Sequence, residues 1–401
     1  MLPASSIERQ LPHGVADLYF EQAAFKTRLE TRLQETFAQW NYTQVIPPTF
    51  EYYKALAAEA SPQVREEIYR FLDHDGKMLA LRADPTIPIA RLVSTKLYDQ
   101  PLPLRFFYVA SVFRHKEPKA SLRREFTQAG VELIGAGTPQ ADAEMLALAV
   151  AALRAAGLEE FRLSLGAIDF VNALLAPLHL SASQHAQIKS ALERKNQGAL
   201  ADTLRALRIA PESQRALSAL PTLAGDATIL ERAASECAGN QVACRVIERL
   251  RVMTRLFDAL GIADMVTLDL GMARGMAYYT GIVFEGFARG IGFPIMSGGR
   301  YDNLLAHFGR ALPACGFAIG VERALAALQL QRHDPISLAP EIVAELSAAR
   351  ALTERVAAAR RQGARVEWYL QNHARDEMLA YARARGAARV WFADGSAAEV
   401  T

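Results

Sequence analysis

At 401 residues the chain exceeds one ordinary hydrophobic core and suits two or three domains. Its composition, 51% hydrophobic and 22% charged, is globular and able to bury a large core. A net charge of +2 lacks the basic bias of a dedicated nucleic-acid binder and argues against tRNA as an obligate partner.

The start MLPASSIERQ has neither the basic nor the apolar region of a signal peptide. The most apolar run, Met145 to Leu153, is too short to span a bilayer, so a cytoplasmic protein is expected. From Glu21 to Trp40 the residues Phe25, Leu29, Leu33, Phe37 and Trp40 recur at helical spacing and predict an amphipathic helix. YTQVIPPTFEYY follows, and Pro47 and Pro48 restrict it to an edge or interface strand. Lys77–Leu81, Leu104–Phe113, Phe126–Ile134 and Phe161–Leu165 read as strands, with a helix at Ala141–Ala156. Residues 170–262 read as almost wholly helical. Strands return at Met265–Leu270 and Gly281–Phe287, then comes the Gly-rich IMSGGRYDNLLAHFG, and CGFAIGVERALAALQL runs from strand into helix. From about 340 the expected order is a helix over Glu341–Gln362, a strand over Arg365–Leu370, a helix over Ala374–Arg385 and a strand over Arg389–Phe392. The fold class is therefore α+β: a mostly antiparallel sheet with flanking helices, a helical insertion and a small C-terminal α/β appendage. The expected division is a core of 1–170 with 263–332, an insertion of 171–262 and a terminal domain of 333–401.

Three cysteines, Cys237, Cys244 and Cys315, match no zinc spacing and read as reduced packing or surface residues. No metal and no cofactor are expected. Three polar groups stand on or beside predicted strands: Asp84 and Thr86 in LRADPT; Arg114, Arg124, Gln128 and Glu132 in SVFRHKEPKASLRREFTQAGVELIG; and Arg274, Tyr278 and Tyr279 in LGMARGMAYYTGIVFEG. Gln128 and Glu132, four apart in a strand, face the same side. Taken singly, each is a solvated strand face. Set together among apolar strands they suit a small zwitterion with a polar ring: carboxylates for the ammonium, arginine for the carboxylate, tyrosines for the ring.

These blocks resemble the class II core of histidyl-tRNA synthetases. LPHGVADL resembles that family's N-terminal signature, the helix leading to Pro48 its dimer-interface motif 1, and FRHKEP through FTQAGVELIG its motif 2. RGMAYYTGIVFE resembles the histidine-specific motif, GFAIGVER motif 3, and SGGRYDNLLAHFG also matches. The resemblance covers about residues 8–330. It implies a histidine site in which Asp84, Thr86 and Gln128 hold the α-amino group. Glu132 and Tyr279 would contact the imidazole with Tyr278 nearby, and Arg274 would lie by the carboxylate. Asp84 stands where the synthetases usually carry Glu, which keeps the charge and shortens the reach by one methylene.

The departures carry as much weight. Lys116 inverts a charge in motif 2, Leu122 replaces a triphosphate-contacting arginine, and Ala277 replaces the acid of the histidine-specific motif. Arg114, Phe126 and Arg323 survive as a residual nucleotide site. Only about sixty residues follow Pro340, with no clear first strand, and their arginines are interleaved with acids as on a solvated helix face. A synthetase core altered in this way resembles the regulatory subunits of ATP phosphoribosyltransferase, which serve the first step of histidine biosynthesis. That resemblance implies a non-catalytic chain that binds free L-histidine, forms a homodimer and partners a short catalytic subunit in a hetero-oligomer. The rival reading is an active histidyl-tRNA synthetase or synthetase-like ligase. Arg274 and Arg323 favour it; Lys116, Leu122, Ala277 and the short C-terminus count against it.

Overall fold

The structure, a computed structural model, describes residues 7, 10–58, 62–115, 123–273, 279–331, 337–371 and 374–400. Arg274 and Tyr278, and the substituted positions Lys116, Leu122 and Ala277, lie outside the described residues. The chain forms two compact units, Met1–Leu18 with Phe25–His333, and Tyr19–Ala24 with Asp334–Thr401. No helix among the described residues is long and apolar enough to cross a membrane.

The larger unit is built on a nine-stranded sheet. In spatial order its strands are Thr43–Gln44, Leu104–Phe113, Glu125–Ile134, Ala314–Gly320, Met296–Arg300, Ile282–Ala288, Phe161–Ala167, Val266–Asp269 and Ala224–Gly225. All neighbours pair antiparallel except Thr43–Gln44 with Leu104–Phe113, and Phe161–Ala167 with Val266–Asp269. The proline-marked stretch splits between two sheets. Thr43–Gln44 forms the edge of the large one, and Phe50–Tyr52 enters a separate sheet with Met78–Leu81 and Arg70–Leu72. Pro47 and Pro48 donate nothing, but their carbonyls accept from Arg82 Nη1 at 2.7 and 3.2 Å.

A strand's period of two divides the large sheet into unlike faces. Ala129, Val131 and Leu133, with Cys315, Phe317, Ile319, Leu163, Leu165, Ile282 and Phe284, join the main hydrophobic core. The helices Phe20–Gln39, Pro139–Ala156 and Gln241–Ala259 contribute to that core through Leu33 and Phe37, Leu146 and Leu153, and Leu250 and Met253. The helix Pro139–Ala156 starts with proline at its first position and the Thr138 hydroxyl accepting from the Ala141 N–H at 3.3 Å. It stops at Gly157, whose φ of 98° favours glycine. The intervening residues, among them Gln128, Glu132 and Ser297, face the other way, where the helix Thr86–Lys96 covers part of the sheet.

Residues 182–259 supply five α-helices, Ala182–Glu193, Gln197–Ala206, Pro211–Ala219, Ile229–Glu236 and Gln241–Ala259. Ser181 and Gln184 close a capping box at the first, and Asn196 and Asn240 cap the second and last.

The smaller unit carries a four-stranded sheet in the order Val366–Tyr369, Ile342–Glu345, Arg389–Trp391, Ala397–Glu399, with the first three parallel. This corrects the expected helix over Glu341–Gln362 and the absence of a first strand. Ile342–Glu345 is the strand, and the helix is Arg350–Arg361. A central parallel strand is covered on both faces, so its short apolar run shows no alternation and cannot be told from a buried helical turn by periodicity.

Candidate functional site

A cavity of about 150 Å³ opens on the polar face of the large sheet. It is lined by Asp84 and Thr86 at the start of the helix Thr86–Lys96, by Gln128 and Glu132 from one strand, and by Tyr279. Arg114, Phe126 and Arg323 line it too. Segments distant in sequence thus converge, because the strands Leu104–Phe113, Glu125–Ile134, Ala314–Gly320 and Met296–Arg300 are hydrogen-bonded neighbours. Three further wall residues, Tyr108, Ser297 and Tyr301, are not singled out by the sequence reading.

Glu132 is 2% exposed, and both of its oxygens are engaged. The Thr86 hydroxyl donates to Oε1 at 2.7 Å and the Tyr301 hydroxyl donates to Oε2. Burial pushes its carboxyl up to about 8; Asp84 adds to the rise, and the two hydroxyls oppose it. Asp84 is also buried, accepts from the Ile87 N–H at 3.3 Å, and is pushed up by burial while Arg114 pulls it down. Enclosure and the two carboxylates push the Tyr279 phenol up as well. A cavity whose acids resist losing their protons favours a ligand that brings positive charge or shares a proton. The Gln128 carbonyl oxygen is enclosed with no hydrogen-bond donor among the described residues. Such an orphaned acceptor marks a place for a ligand or water.

The wall also carries two cations. Arg114 Nε donates to the Ala83 carbonyl at 3.0 Å, and its guanidinium lies 5.5 Å from the Phe126 ring. Arg323 donates to the Pro294 carbonyl at 2.7 Å and lies 5.3 Å from the Phe293 ring. Burial first, and then the field of Arg114, pull the Arg323 guanidinium below its ordinary value.

Two glycines make the floor possible. Gly316 sits opposite Glu132 in the ladder, and a Cβ there would collide with Oε2 of Glu132 and the Val131 carbonyl. At Gly299 a Cβ would meet the Tyr279 ring at 2.9 Å and the Ile282 carbonyl at 2.6 Å. The Gly316→Ala variant is therefore expected to lose about 1–3 kcal/mol of stability through overpacking and to displace the carboxylate. Urea unfolding checks the first effect and ligand titration the second; wild-type values in both would show that the strand yields freely.

A model of the histidyl-tRNA synthetase family matches residues 14–324. An ATP phosphoribosyltransferase regulatory subunit from Moorella thermoacetica is 42% identical over 98% of this chain and 100% of its own length. One from Symbiobacterium thermophilum is 42% identical over 95% of this chain and 96% of that one. The chain belongs to the family of ATP phosphoribosyltransferase regulatory subunits, within the histidyl-tRNA synthetase fold. A solved structure described as an ATP phosphoribosyltransferase regulatory subunit/histidyl-tRNA synthetase from Bacillus halodurans has a TM-score of 0.84 and 30% identity, covering 94% of this chain and 97% of that one. A histidyl-tRNA synthetase from Nostoc, 19% identical with a TM-score of 0.82 over 99% of this chain and 97% of that one, shares the fold.

Proposed function

We propose that this chain is the non-catalytic regulatory subunit of a short-form ATP phosphoribosyltransferase, that it binds free L-histidine in the Glu132 cavity, and that it confers feedback inhibition and activation on its partner. The observation that carries the reading is the buried Glu132, clamped by Thr86 and Tyr301 beside Asp84 and the orphaned Gln128 oxygen. Asp84, Thr86 and Gln128 take the ammonium group, Glu132 and Tyr279 take the imidazole, and Arg274 and Tyr278 complete the set. The test is phosphoribosyl-ATP formation by the short enzyme, with and without this chain, across histidine concentrations. The chain is expected to raise the rate without histidine and to make it histidine-sensitive. Equal inhibition of the short enzyme alone would overturn the role.

The second reading, an active synthetase, is kept by Arg114, Phe126 and Arg323 lining the same cavity. Histidine-driven ATP–pyrophosphate exchange separates the two. A synthetase exchanges; the regulator, altered at Lys116, Leu122 and Ala277, stays at background and does not charge tRNA.

A homodimer is expected through the proline-marked element. Phe50, Tyr52, Phe71, Leu72 and Met78 on the three-stranded sheet, with Ile46 beside it, are exposed large hydrophobics. A cluster of that kind marks an interaction surface. Light scattering at micromolar concentration should give twice the 43.9 kDa chain mass, and Phe50→Glu should shift the population toward monomer. A wild-type monomer at that concentration would count against this assembly.

A further inference from the structure

Away from the cavity, two thiols stand side by side in the helical segment. Cys237 ends the helix Ile229–Glu236, and Cys244 lies near the start of the helix Gln241–Ala259. The corner between them is tight. The Asn240 N–H donates to the Cys237 carbonyl at 2.8 Å, and the Asn240 amide donates to the Ala173 carbonyl at 2.7 Å. Its oxygen caps the second helix by accepting from the Val242 and Ala243 N–H groups. This geometry holds the two Sγ atoms 4.0 Å apart. Both are free thiols: Cys237 donates to the Ala234 carbonyl at 3.7 Å, and Cys244 donates to the Cys237 carbonyl at 3.5 Å.

We propose that Cys237 and Cys244 are a redox site that closes to a reversible disulfide by exchange with a low-molecular-weight disulfide of the glutathione class. A disulfide needs its sulfurs about 2.05 Å apart. The two sulfurs, 4.0 Å apart, must close about 2 Å to bond. Exposure assigns the roles. Cys244 is partly exposed, whereas Cys237 is 3% exposed. Cys244 therefore gives up its proton and attacks one sulfur of the small disulfide, whose S–S bond breaks as one small thiolate leaves. Cys237 then loses its proton and attacks the Cys244 sulfur of the mixed disulfide, and the second small thiolate leaves. Two protein thiols are oxidised, one small disulfide is reduced to two thiols, and the two protons end on the departing thiolates. Burial, and then Cys244 itself, push the Cys237 thiol up to about 11, which makes the second step the slow one. Cys315, wholly buried in the sheet core, is an internal control.

The test uses the full chain equilibrated in glutathione buffers of rising oxidised-to-reduced ratio, quenched in acid, labelled with a maleimide in denaturant, and read by intact mass and peptide mapping. The oxidised protein is expected to lack two hydrogens, to carry label on Cys315 alone and to yield a linked Cys237–Cys244 peptide that dithiothreitol releases. Cys237→Ser, which keeps the attacking thiol, should accumulate the glutathione mixed disulfide at Cys244. Cys244→Ser should leave Cys237 unreacted in the folded protein. A wild-type protein that stops at the mixed disulfide, or stays labelled at both positions across the whole ratio series, would overturn the site.

Discussion

The Glu132→Gln variant is expected to be more stable than the wild type when empty, and to bind histidine ten- to a hundredfold more weakly. Both effects come from one buried carboxyl. In the folded protein burial lifts Glu132 from its ordinary 4.5 to about 8. Between these values the folded protein holds a proton on Glu132 that the unfolded chain has released. The unfolded state therefore gains relative stability as pH rises, by about 1.4 kcal/mol for each pH unit inside the window. Below about 4.5 the two states are protonated alike and the penalty vanishes; above about 8 it reaches its full size. Glutamine removes the titration, at the cost of setting an amide N–H against a hydroxyl that now donates. The net gain at pH 7.5 is expected on the order of 1–3 kcal/mol. Thermal melts of both proteins from pH 5 to 9 check this. The difference between them should widen with pH and level off above 8; a constant difference would mean that Glu132 stays ionised in its pocket.

Binding has its own pH signature. A free imidazole titrates near 6.5, and in the proposed complex ring and carboxyl would share one proton. From about 6.5 to 8 the empty site brings that proton and affinity is flat. Above 8 the proton must be taken up from solvent, and affinity should fall by up to about tenfold per pH unit. Glu132→Gln should lose both the affinity and this alkaline fall. Calorimetry at pH 7 and 9, with the catalytic partner present if binding requires it, reads both. A charge-assisted hydrogen bond of about 1.5–3 kcal/mol underlies the ten- to hundredfold figure.

How much of this was legible in the sequence depends on the kind of signal. Gln128 and Glu132 announce themselves, because a strand's period of two sets them on one side while Ala129, Val131 and Leu133 go to the core. Asp84 and Thr86 stand out as polar residues of LRADPT beside a predicted strand, although the helix Thr86–Lys96 that positions them is not read from the sequence, and Tyr279 belongs to a motif with its own spacing. Tyr108 carries no such mark, and Tyr301 lies in the matching block SGGRYDNLLAHFG without a role that the sequence assigns to it. Each is an ordinary aromatic in a strand or turn, and its place at the cavity arises only when four strands distant in sequence become neighbours. The strand Ile342–Glu345 is hidden for a different reason: four residues, buried on both sides, hold too little period to distinguish strand from helix. Least legible is the pairing of buried charges. Arg300 and Asp142 look like surface residues by type and are 2% and 0% exposed.

Asp142→Ala is expected to be the most destabilising single change in the larger unit, costing about 3–5 kcal/mol of a total typically near 5–15 kcal/mol. Asp142 lies in the first turn of the helix Pro139–Ala156. Its Oδ1 accepts from Arg300 Nε at 2.9 Å and Nη2 at 2.6 Å, and its Oδ2 accepts from Arg249 Nε at 3.0 Å. Removing it leaves Arg300 with the half-exposed Asp302, 3.0 Å from Nη1, as its carboxylate partner. An under-paired guanidinium in that position keeps its desolvation cost without the attraction that offset it. Replacing both members by leucine should recover most of the loss, because the attraction and the desolvation disappear together. Urea unfolding of Asp142→Ala, Arg300→Leu and the double variant Asp142→Leu/Arg300→Leu measures the coupling. A loss below about 1 kcal/mol in Asp142→Ala would mean that water reaches Arg300. The same cluster bears on the cavity. Arg300 immediately precedes Tyr301, whose hydroxyl clamps Glu132, and the Tyr301 N–H donates to the Ala314 carbonyl at 2.8 Å. A double variant that regains stability yet still binds histidine weakly would separate the two tasks of this strand, filling the core and aiming Tyr301. The ion pair would then be retained for the position it gives the tyrosine, since apolar packing serves stability equally well.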